Sequence, residues 1–566
     1  MAMTRWMLII LVAALSAGPA LGQILLAGGA LPLCSSMATD QCTGDSAFSD
    51  DALPGHRFRL DVAAIKAWQA SLPDGDPAHA WRAVLEELLA SAGAGPYSRA
   101  ELTSIIRSHR STADPGVPEA SRRLSGEELF QRTDDRDWWR LLDHFQEPIK
   151  NGEQVLLHHS RSEAAVEVFE HFVAMAAKAS GNERPRIAFS TASSRDPYDA
   201  VDFYAQVFEQ AGADAVWLPL DRAVTAARAA GSCARLSEFQ ADLLGSWDRA
   251  RVHPTAYAQQ SALCAKPAAS LQLVEDIDAL FLNGGDQWLT LHAFRDGQGR
   301  ATPEWRRVME RLGAGEMVLG GTSAGAAVQS GNIMVSNGSS ARALLRGARE
   351  HPPPAPGCDR SDRCPDGLQV DDLTFHRGGL GSFPPGIVDT HFSERWRQFR
   401  LLQLMSDTET RLGLGVDETS AIAVSGLFEE TPVILHALGQ SGGWLIDLGP
   451  AHRVRQRPLK VAGARLHRLD AGTRLVLDDL DPGPGLPPGG VDETTGEACL
   501  RSTDFASFRA LADSFLPEPA NGAVCVEFDL DERTRAISRF KERPENAAMH
   551  SAIRSWSWSV TVQARP

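Results

Sequence analysis

The segment LGGTSAGAAVQSG, residues 319–331, follows the apolar run 317–319 and leads into small residues of helical character. Glycines at 320, 321 and 325 stand on both sides of Ser323. Two readings compete. The glycines either form a tight packing turn, or let the backbone bend so sharply that Ser323 is held up as a nucleophile. Residues 321–325 fit G-x-S-x-G, the nucleophile elbow, in which a strained strand-to-helix turn exposes the serine hydroxyl. The amide of Ala324, at the start of the following helix, would then face a developing oxyanion.

The surrounding pattern supplies the context that an elbow needs. From residue 152 the chain alternates: a helical EAAVEVFEHFVAMAAKA (163–179), a strand RIAFSTAS (186–193), a helix DAVDFYAQVFEQAG (199–212) and a strand DAVWLPL (214–220). After a Cys-flanked segment come a strand IDALFLNGG (277–285), a helix through EWRRVMERLGAG (304–315) and the strand EMVLGG (316–321). Strand and helix in turn, with glycines at strand ends, predict an α/β fold with a mostly parallel sheet flanked by helices. Sites in such sheets form at the carboxyl ends of the strands. A buried-strand pattern, QILLAGGALPLCSS (23–36), comes first, and residues 37–150 read as a charged, Trp-bearing helical insertion.

At 566 residues, 43% hydrophobic and 23% charged, the chain is globular and long enough for a large core with insertions. A formal net charge of −16 argues against a nucleic-acid partner, which would call for a basic face. Residues 1–22 predict a signal peptide: Arg5 is the positive n-region, 6–17 the apolar h-region, and Ala20-Leu21-Gly22 a small-residue cleavage pattern. The apolar run is short for a membrane span. The mature protein from Gln23 is therefore expected to be exported, periplasmic or secreted, with no membrane contact after cleavage.

All eight cysteines lie beyond this segment in four near-neighbour pairs. An even count in an exported chain reads as disulfides, most simply Cys34–Cys42, Cys233–Cys264, Cys358–Cys364 and Cys499–Cys525. The spacings do not fit zinc ligation, and the doublet His158-His159 lacks spaced acidic or thiol partners. Neither a metal nor a cofactor is expected.

A serine nucleophile needs a base, and the base an orienting acid. GIVDTHFSERWRQFRLL (386–402) reads as a strand running into a basic helix, and LGLGVDETSAIAV (412–424) as a strand end carrying two carboxylates. His391 and Glu418 would then sit beside Ser323 at one sheet edge. An α/β-hydrolase would run Ser, acid, His, and could draw on Asp389 or Asp417 with His436 or His452, but no HGGG-type oxyanion motif stands upstream. Among the arginines, Arg395 is the one expected to meet a substrate carboxylate. At helical spacing Arg397 and Arg400 cannot both share its direction, and one of them is expected to pair with Asp389 or Asp417.

FLNGGDQ (281–287), GGTSAGAA (320–327), VDTHFSERWRQFRL (388–401) and GVDETSAI (415–422) stand in the order found in the cyanophycinase and dipeptidase E group of serine peptidases. The chain resembles the cyanophycinases more closely, since G-G-D-Q and D-x-H-F-S-x-R-x-R-x-x-R are both present. The resemblance covers residues 23–36 and about 152–452, within a catalytic region taken as 23–452. It implies a sheet like that of the class I glutamine amidotransferases, flavodoxin-like in layout. It also implies hydrolysis of cyanophycin, a poly-aspartate with arginine on each side chain, to β-Asp-Arg dipeptides. Ser323 would attack, His391 would act as base, Glu418 would orient it, and the amides of Gly285 and Ala324 would form the oxyanion hole. Asp286, Gln287, Asp389, Thr390, Arg395, Arg397 and Arg400 would line or support the substrate pocket. The implied partner is cyanophycin or an Asp-containing peptide, with a homodimer as an admissible state.

The chain also departs from the family. Thr390 stands where the family commonly has Gln, and the Pro-rich REHPPPAPGCDRSDRCPDG (349–367) is absent from compact members. That insertion is expected to be a disulfide-tied loop at the mouth of the site, gating a polymer or blocking it. Residues 453–566, with the linker DLDPGPGLPPGG and the alternating SWSWSVTV, form an extension without an assigned role. Two further readings keep the same fold: a peptidase for short aspartyl or isoaspartyl peptides, and a silent polymer-binding protein. Retention of Ser323, His391 and Glu418 argues against silence.

Overall fold

The computed structural model describes residues 23–74, 77–110, 124–454, 459–480, 499–515, 524–542 and 553–564. The expected signal peptide and most of the 479–490 linker lie outside these residues. Period-two apolar alternation builds the central sheet. Ile24, Leu26, Leu280, Leu282 and Leu319 join the core on one face, and Leu25, Ala27, Ala279, Phe281 and Val318 the core on the other. Burial on both faces is why these strands read as unbroken apolar runs. Helix Glu163–Ser180, capped by Ser162 and ended by a left-handed Gly181, lays Phe169 and Phe172 on one face. Helix Pro303–Gly313 lays Trp305, Val308 and Leu312 on the other.

Across the sheet the order is Arg474–Val476, Ile434–Gly439, Ser420–Ser425, Ile24–Ala27, Val318–Thr322, Ala279–Leu282, Arg186–Ser190 and Asp214–Trp217. The last five are mutually parallel, and the first three run antiparallel to their neighbours. The fold is α/β with mixed sheets and flanking helices.

The histidine strand does not extend this sheet. Gly386–Thr390 is the edge of a second sheet, paired in parallel with Leu412–Val416. Beyond these lie Gly443–Asp447, Lys460–Leu469, Arg554–Ala564, Thr534–Glu542, Val524–Asp529 and Leu500–Arg501. The expectation of three strand ends along one sheet edge is therefore corrected: Ser323 ends a strand of one sheet, His391 a strand of the other. A local apolar run does not say which sheet it joins when its neighbours lie far downstream. Apart from Arg474–Val476 in the central sheet, the described strands beyond residue 452 share the histidine strand's sheet, and Trp556, Trp558, Val560 and Val562 of the alternating strand pack into its core with Phe399 and Trp444.

Within residues 37–150, helices Val62–Ala70, Trp81–Ala92, Arg99–Ser108, Gly126–Gln131 and Asp135–Phe145 enclose a separate core around Trp68, Trp81, Ile106, Trp138 and Phe145. Ser98 with Glu101, and Ser125 with Glu128, form capping boxes there. The four expected cysteine pairs are all at disulfide-bonding distance. Among the described residues, no helix is long and apolar enough to cross a membrane.

Candidate active site

Ser323 has φ +51° and ψ −113°, outside the populated left-handed well, a conformation that costs of order 1–3 kcal/mol and is held by its surroundings. Its N–H donates to the Ala27 carbonyl at 2.9 Å. A Cβ on Gly321 would lie 2.2 Å from the Gly325 carbonyl oxygen, and one on Gly325 would lie 2.1 Å from that of Leu282. Packing and exposure are thus one device. Three backbones meet where only glycine fits, and their meeting drives the serine into its raised turn.

Ser323 Oγ lies 2.7 Å from His391 Nε2, and His391 Nδ1 lies 2.6 Å from Glu418 Oε1. The His391 N–H donates to the Gly28 carbonyl at 2.9 Å, and a Cβ on Gly29 would come within 2.3 Å of His391 Cε1. Residues 27–29 therefore touch both Ser323 and His391. Sequence reasoning passed over them; the available signal was a glycine pair ending a buried strand. Glu418 occupies the turn between Leu412–Val416 of the second sheet and Ser420–Ser425 of the central one, so the acid sits where the two sheets are joined. Burial pushes the His391 pKa down; Glu418 works against this, Arg395 and Arg397 with it, and the result is about 4. At neutral pH the imidazole is uncharged and can accept a proton.

The neighbouring Asp417 is fully buried and serves the turn. Its Oδ1 accepts from Ser393 N at 3.0 Å, and its Oδ2 from Trp444 Nε1 at 3.3 Å and Arg509 Nε at 2.7 Å. Arg509 also donates to Asp470 Oδ1 at 2.8 Å and lies over the Trp444 ring, 5.2 Å from its centroid. Arg509 is a second residue that sequence reasoning missed, and no local pattern marks it.

The arginines differ from expectation. The helix begins at Gln398, so Arg395 and Arg397 lie in the connection before it, where Trp396 has φ +51°. Helical spacing does not govern them. Arg397 and Arg400 both converge on Asp389: Arg400 Nε lies 2.8 Å from Oδ2, and Arg397 Nη1 lies 3.5 Å from Oδ1. Asp389 is fully buried, and the second Arg400 nitrogen also bonds Oδ1, so this pair backs the cleft. Arg397 donates to the Thr390 carbonyl at 2.8 Å, and burial pushes its pKa down to about 9. Arg395 keeps 54% of its side chain exposed, 3.8 Å from Glu418.

On the opposite flank, a Cβ on Gly284 would stand 3.4 Å from the Ser323 Cβ, which sets the Gly284-Gly285 turn against the nucleophile. Asp286 caps helix Gln287–Phe294 through the Trp288 N–H at 2.8 Å. Gln287 donates to the Val335 carbonyl at 2.8 Å. Gly285, Asp286, Gln287, Ser323, Ala324, Asp389, Thr390 and the three arginines all line one cavity of about 800 Å³.

Two insertions supply the far wall. Trp139 and Asp143 come from helix Asp135–Phe145, and residues 353–356 from the Pro-rich segment. The Cys358–Cys364 loop is tied to that helix: Arg363 Nη1 lies 3.0 Å from Asp134 Oδ2 and 2.7 Å from Asp137 Oδ2, and Arg360 pairs with Asp135. Asp196, Asp199 and His253 bring potential ligand atoms within 4.8 Å of one another. A cation fits poorly there, because Arg249 already pairs with Asp196. Burial would lower the His253 pKa, but the two aspartates outweigh it and hold it up at about 9, so His253 joins Arg249 in balancing their charge. His158 faces Glu170 at 3.7 Å on the surface.

No family model matches the chain. Over 222 residues it is 32% identical to a cyanophycinase of Geminocystis herdmanii, an alignment covering 38% of this chain and 68% of that protein. The chain belongs to the cyanophycinase family. Over 210 residues it is 31% identical to a cyanophycinase of Trichormus variabilis, covering 36% of this chain and 58% of that relative. The family match thus accounts for little more than a third of the chain. A solved peptidase from an acI-B1 Actinobacterium aligns at 15% identity over 56% of this chain and 91% of its own, with a TM-score of 0.32, too loose a likeness to bear on the fold.

Proposed function

We propose that this chain is an exported serine peptidase that hydrolyses cyanophycin to β-Asp-Arg dipeptides through an acyl-enzyme. The observation that carries the reading is the unbroken hydrogen-bonded line Ser323–His391–Glu418 at a strained elbow in a cyanophycinase-family chain. As Ser323 Oγ attacks a backbone carbonyl, its proton passes to His391 Nε2, and Glu418 steadies the imidazolium that forms. The oxyanion is received by the N–H groups of Ala324 and Gly285, which have no protein partner among the described residues. Collapse breaks the C–N bond while His391 returns the proton to the leaving nitrogen. Water, activated by the same imidazole, then releases the acyl group and restores the serine.

Arg395 and Arg397 are the groups offered to a substrate carboxylate, and Asp389 with Arg400 holds Arg397 in place. Gln287 and Asp286 shape the oxyanion flank. The parallel strands that carry the elbow support the grouping with amidotransferase-like sheets, and the four disulfides support an oxidising compartment and hence export. The wall formed by residues 353–356 and helix Asp135–Phe145 favours one alternative, a preference for short aspartyl or isoaspartyl peptides, because it narrows the approach of a long chain.

The test is product analysis by mass spectrometry after incubating the mature protein with purified cyanophycin, beside Ser323→Ala. The expected result is β-Asp-Arg from the parent and a loss of roughly 10⁴-fold or more in the variant. A folded parent that leaves the polymer intact but cleaves short isoaspartyl peptides would move the assignment to the second reading.

A further inference from the structure

The cleft presents one guanidinium that the sequence did not single out. Arg222 opens helix Arg222–Ala229, behind the buried cap Asp221, and lines the same cavity as Ser323. It is half-buried, and among the described residues its one hydrogen bond is a long 3.4 Å contact with the Leu243 carbonyl. Burial pushes its pKa down, and the nearby Asp286 offsets only part of that, so its charge is poorly compensated. The other buried or half-buried arginines of the cleft each have a protein acceptor, Arg397 included although it also remains open to a substrate carboxylate. Arg136 donates to the carbonyls of Ala241 and Asp242, Arg195 pairs with Asp143, and Arg397 and Arg400 meet Asp389.

Position adds a second argument. Arg222 reaches the cleft beside Asp286, next to Gly285 on the oxyanion flank, whereas Arg395 and Arg397 follow His391 on the other flank. Ser323 touches both flanks, through Gly284 on one side and the imidazole on the other. A substrate lying across the serine therefore meets cationic forks on both sides of the reacting carbonyl, and a planar guanidinium suits a carboxylate best.

We propose that Arg222 binds a second carboxylate of the substrate, distinct from the one taken by Arg395 and Arg397, so that the site reads two neighbouring carboxylate-bearing units at once. This rests on the reading of the chain as a cyanophycin hydrolase, since each repeat of that polymer carries one arginine carboxylate. The experiment uses the two-unit peptide (β-Asp-Arg)₂ and two derivatives in which one arginine carboxylate at a time is converted to the carboxamide. KM and kcat are measured for the parent, Arg222→Met, Arg222→Lys and Arg395→Met, with thermal melting as the fold check.

In the parent, either carboxamide is expected to raise KM roughly ten- to a hundred-fold, the size of a lost charge-assisted pair. Arg222→Met is expected to raise KM by a similar factor with kcat little changed, and to become insensitive to one carboxamide. Arg395→Met is expected to become insensitive to the other, and Arg222→Lys to recover only part of the loss. Should Arg222→Met not fold, Arg222→Gln carries the same comparison. A folded Arg222 variant that remains as sensitive as the parent to both carboxamides overturns the inference and leaves the hydrolase reading intact. A parent that cleaves neither the unmodified peptide nor the polymer overturns the hydrolase reading, and this inference with it.

Discussion

The elbow and the acid turn hold their residues by opposite means. At the elbow, backbones from Ile24–Ala27, Ala279–Leu282 and Val318–Thr322 press together through glycines, and the Ser323 backbone is placed by main-chain contact. At the acid turn, Glu418 is placed by side chains that meet around Asp417: Trp444 and Arg509 reach it from other segments, and Ser393 supplies a backbone N–H. The first arrangement tolerates no added atom. The second depends on charge balance, because a buried carboxylate without its cation is costly.

The sharpest way to break this contrast is to add one carbon where backbone meets imidazole. In Gly29→Ala the new methyl would lie 2.3 Å from His391 Cε1, on a residue whose φ is +100°. Displacing the ring should lower kcat on the order of 100-fold, measured as dipeptide release. A near-parental rate would mean that His391 is not held by that backbone. Next in size is the charge network. Arg509→Met strips Asp417 of its cation, and kcat should fall about ten-fold with KM nearly constant while Arg509→Lys restores part of it. Equal changes in kcat for the Met and Lys variants would show that the charge is not what matters.

A third measurement sharpens the electrostatics. Arg395 and Arg397 disfavour the imidazolium, so removing one of these cations must raise the His391 pKa from about 4. The base is active only when neutral. The acid limb of kcat/KM for Arg397→Met should therefore sit at higher pH than the parent's, and a limb that stays put would separate His391 from these arginines. The smallest effect belongs to the partly exposed ties of the Pro-rich loop. Arg363→Ala should cost under about 1 kcal/mol in urea unfolding, while KM for polymer changes more than KM for the two-unit peptide. If both KM values move together, the loop does not discriminate by chain length.

The same contrast explains what could be read in advance. The α/β alternation, Ser323, His391, Glu418 and the four cysteine pairs were legible, because each is marked by local pattern or near-neighbour spacing. The glycines at 28 and 29 were visible but looked like any strand end. The second sheet was not legible. Gly386–Thr390 carries the same apolar signal as a central strand, and its sheet is completed by strands as far away as Arg554–Ala564. Arg222 and Arg509 were equally hidden, since nothing next to either residue announces the partner it faces across the fold. The arginines after His391 misled for a different reason: a left-handed Trp396 delays the helix and turns Arg397 onto the carboxylate that Arg400 also holds.

The late strands of the second sheet also give the site an order of assembly. The backbones that crowd the Ser323 turn, from Ile24–Ala27, Ala279–Leu282 and Val318–Thr322, all precede it in the chain, so a growing polypeptide can begin to shape it early. The base and acid strands, however, are braced by segments around residues 509 and 554–564, which are made well after the elbow. On the proposed reading, Ser323 can therefore be shaped well before His391 and Glu418 are braced, and the proposed activity waits on strands far downstream of the elbow.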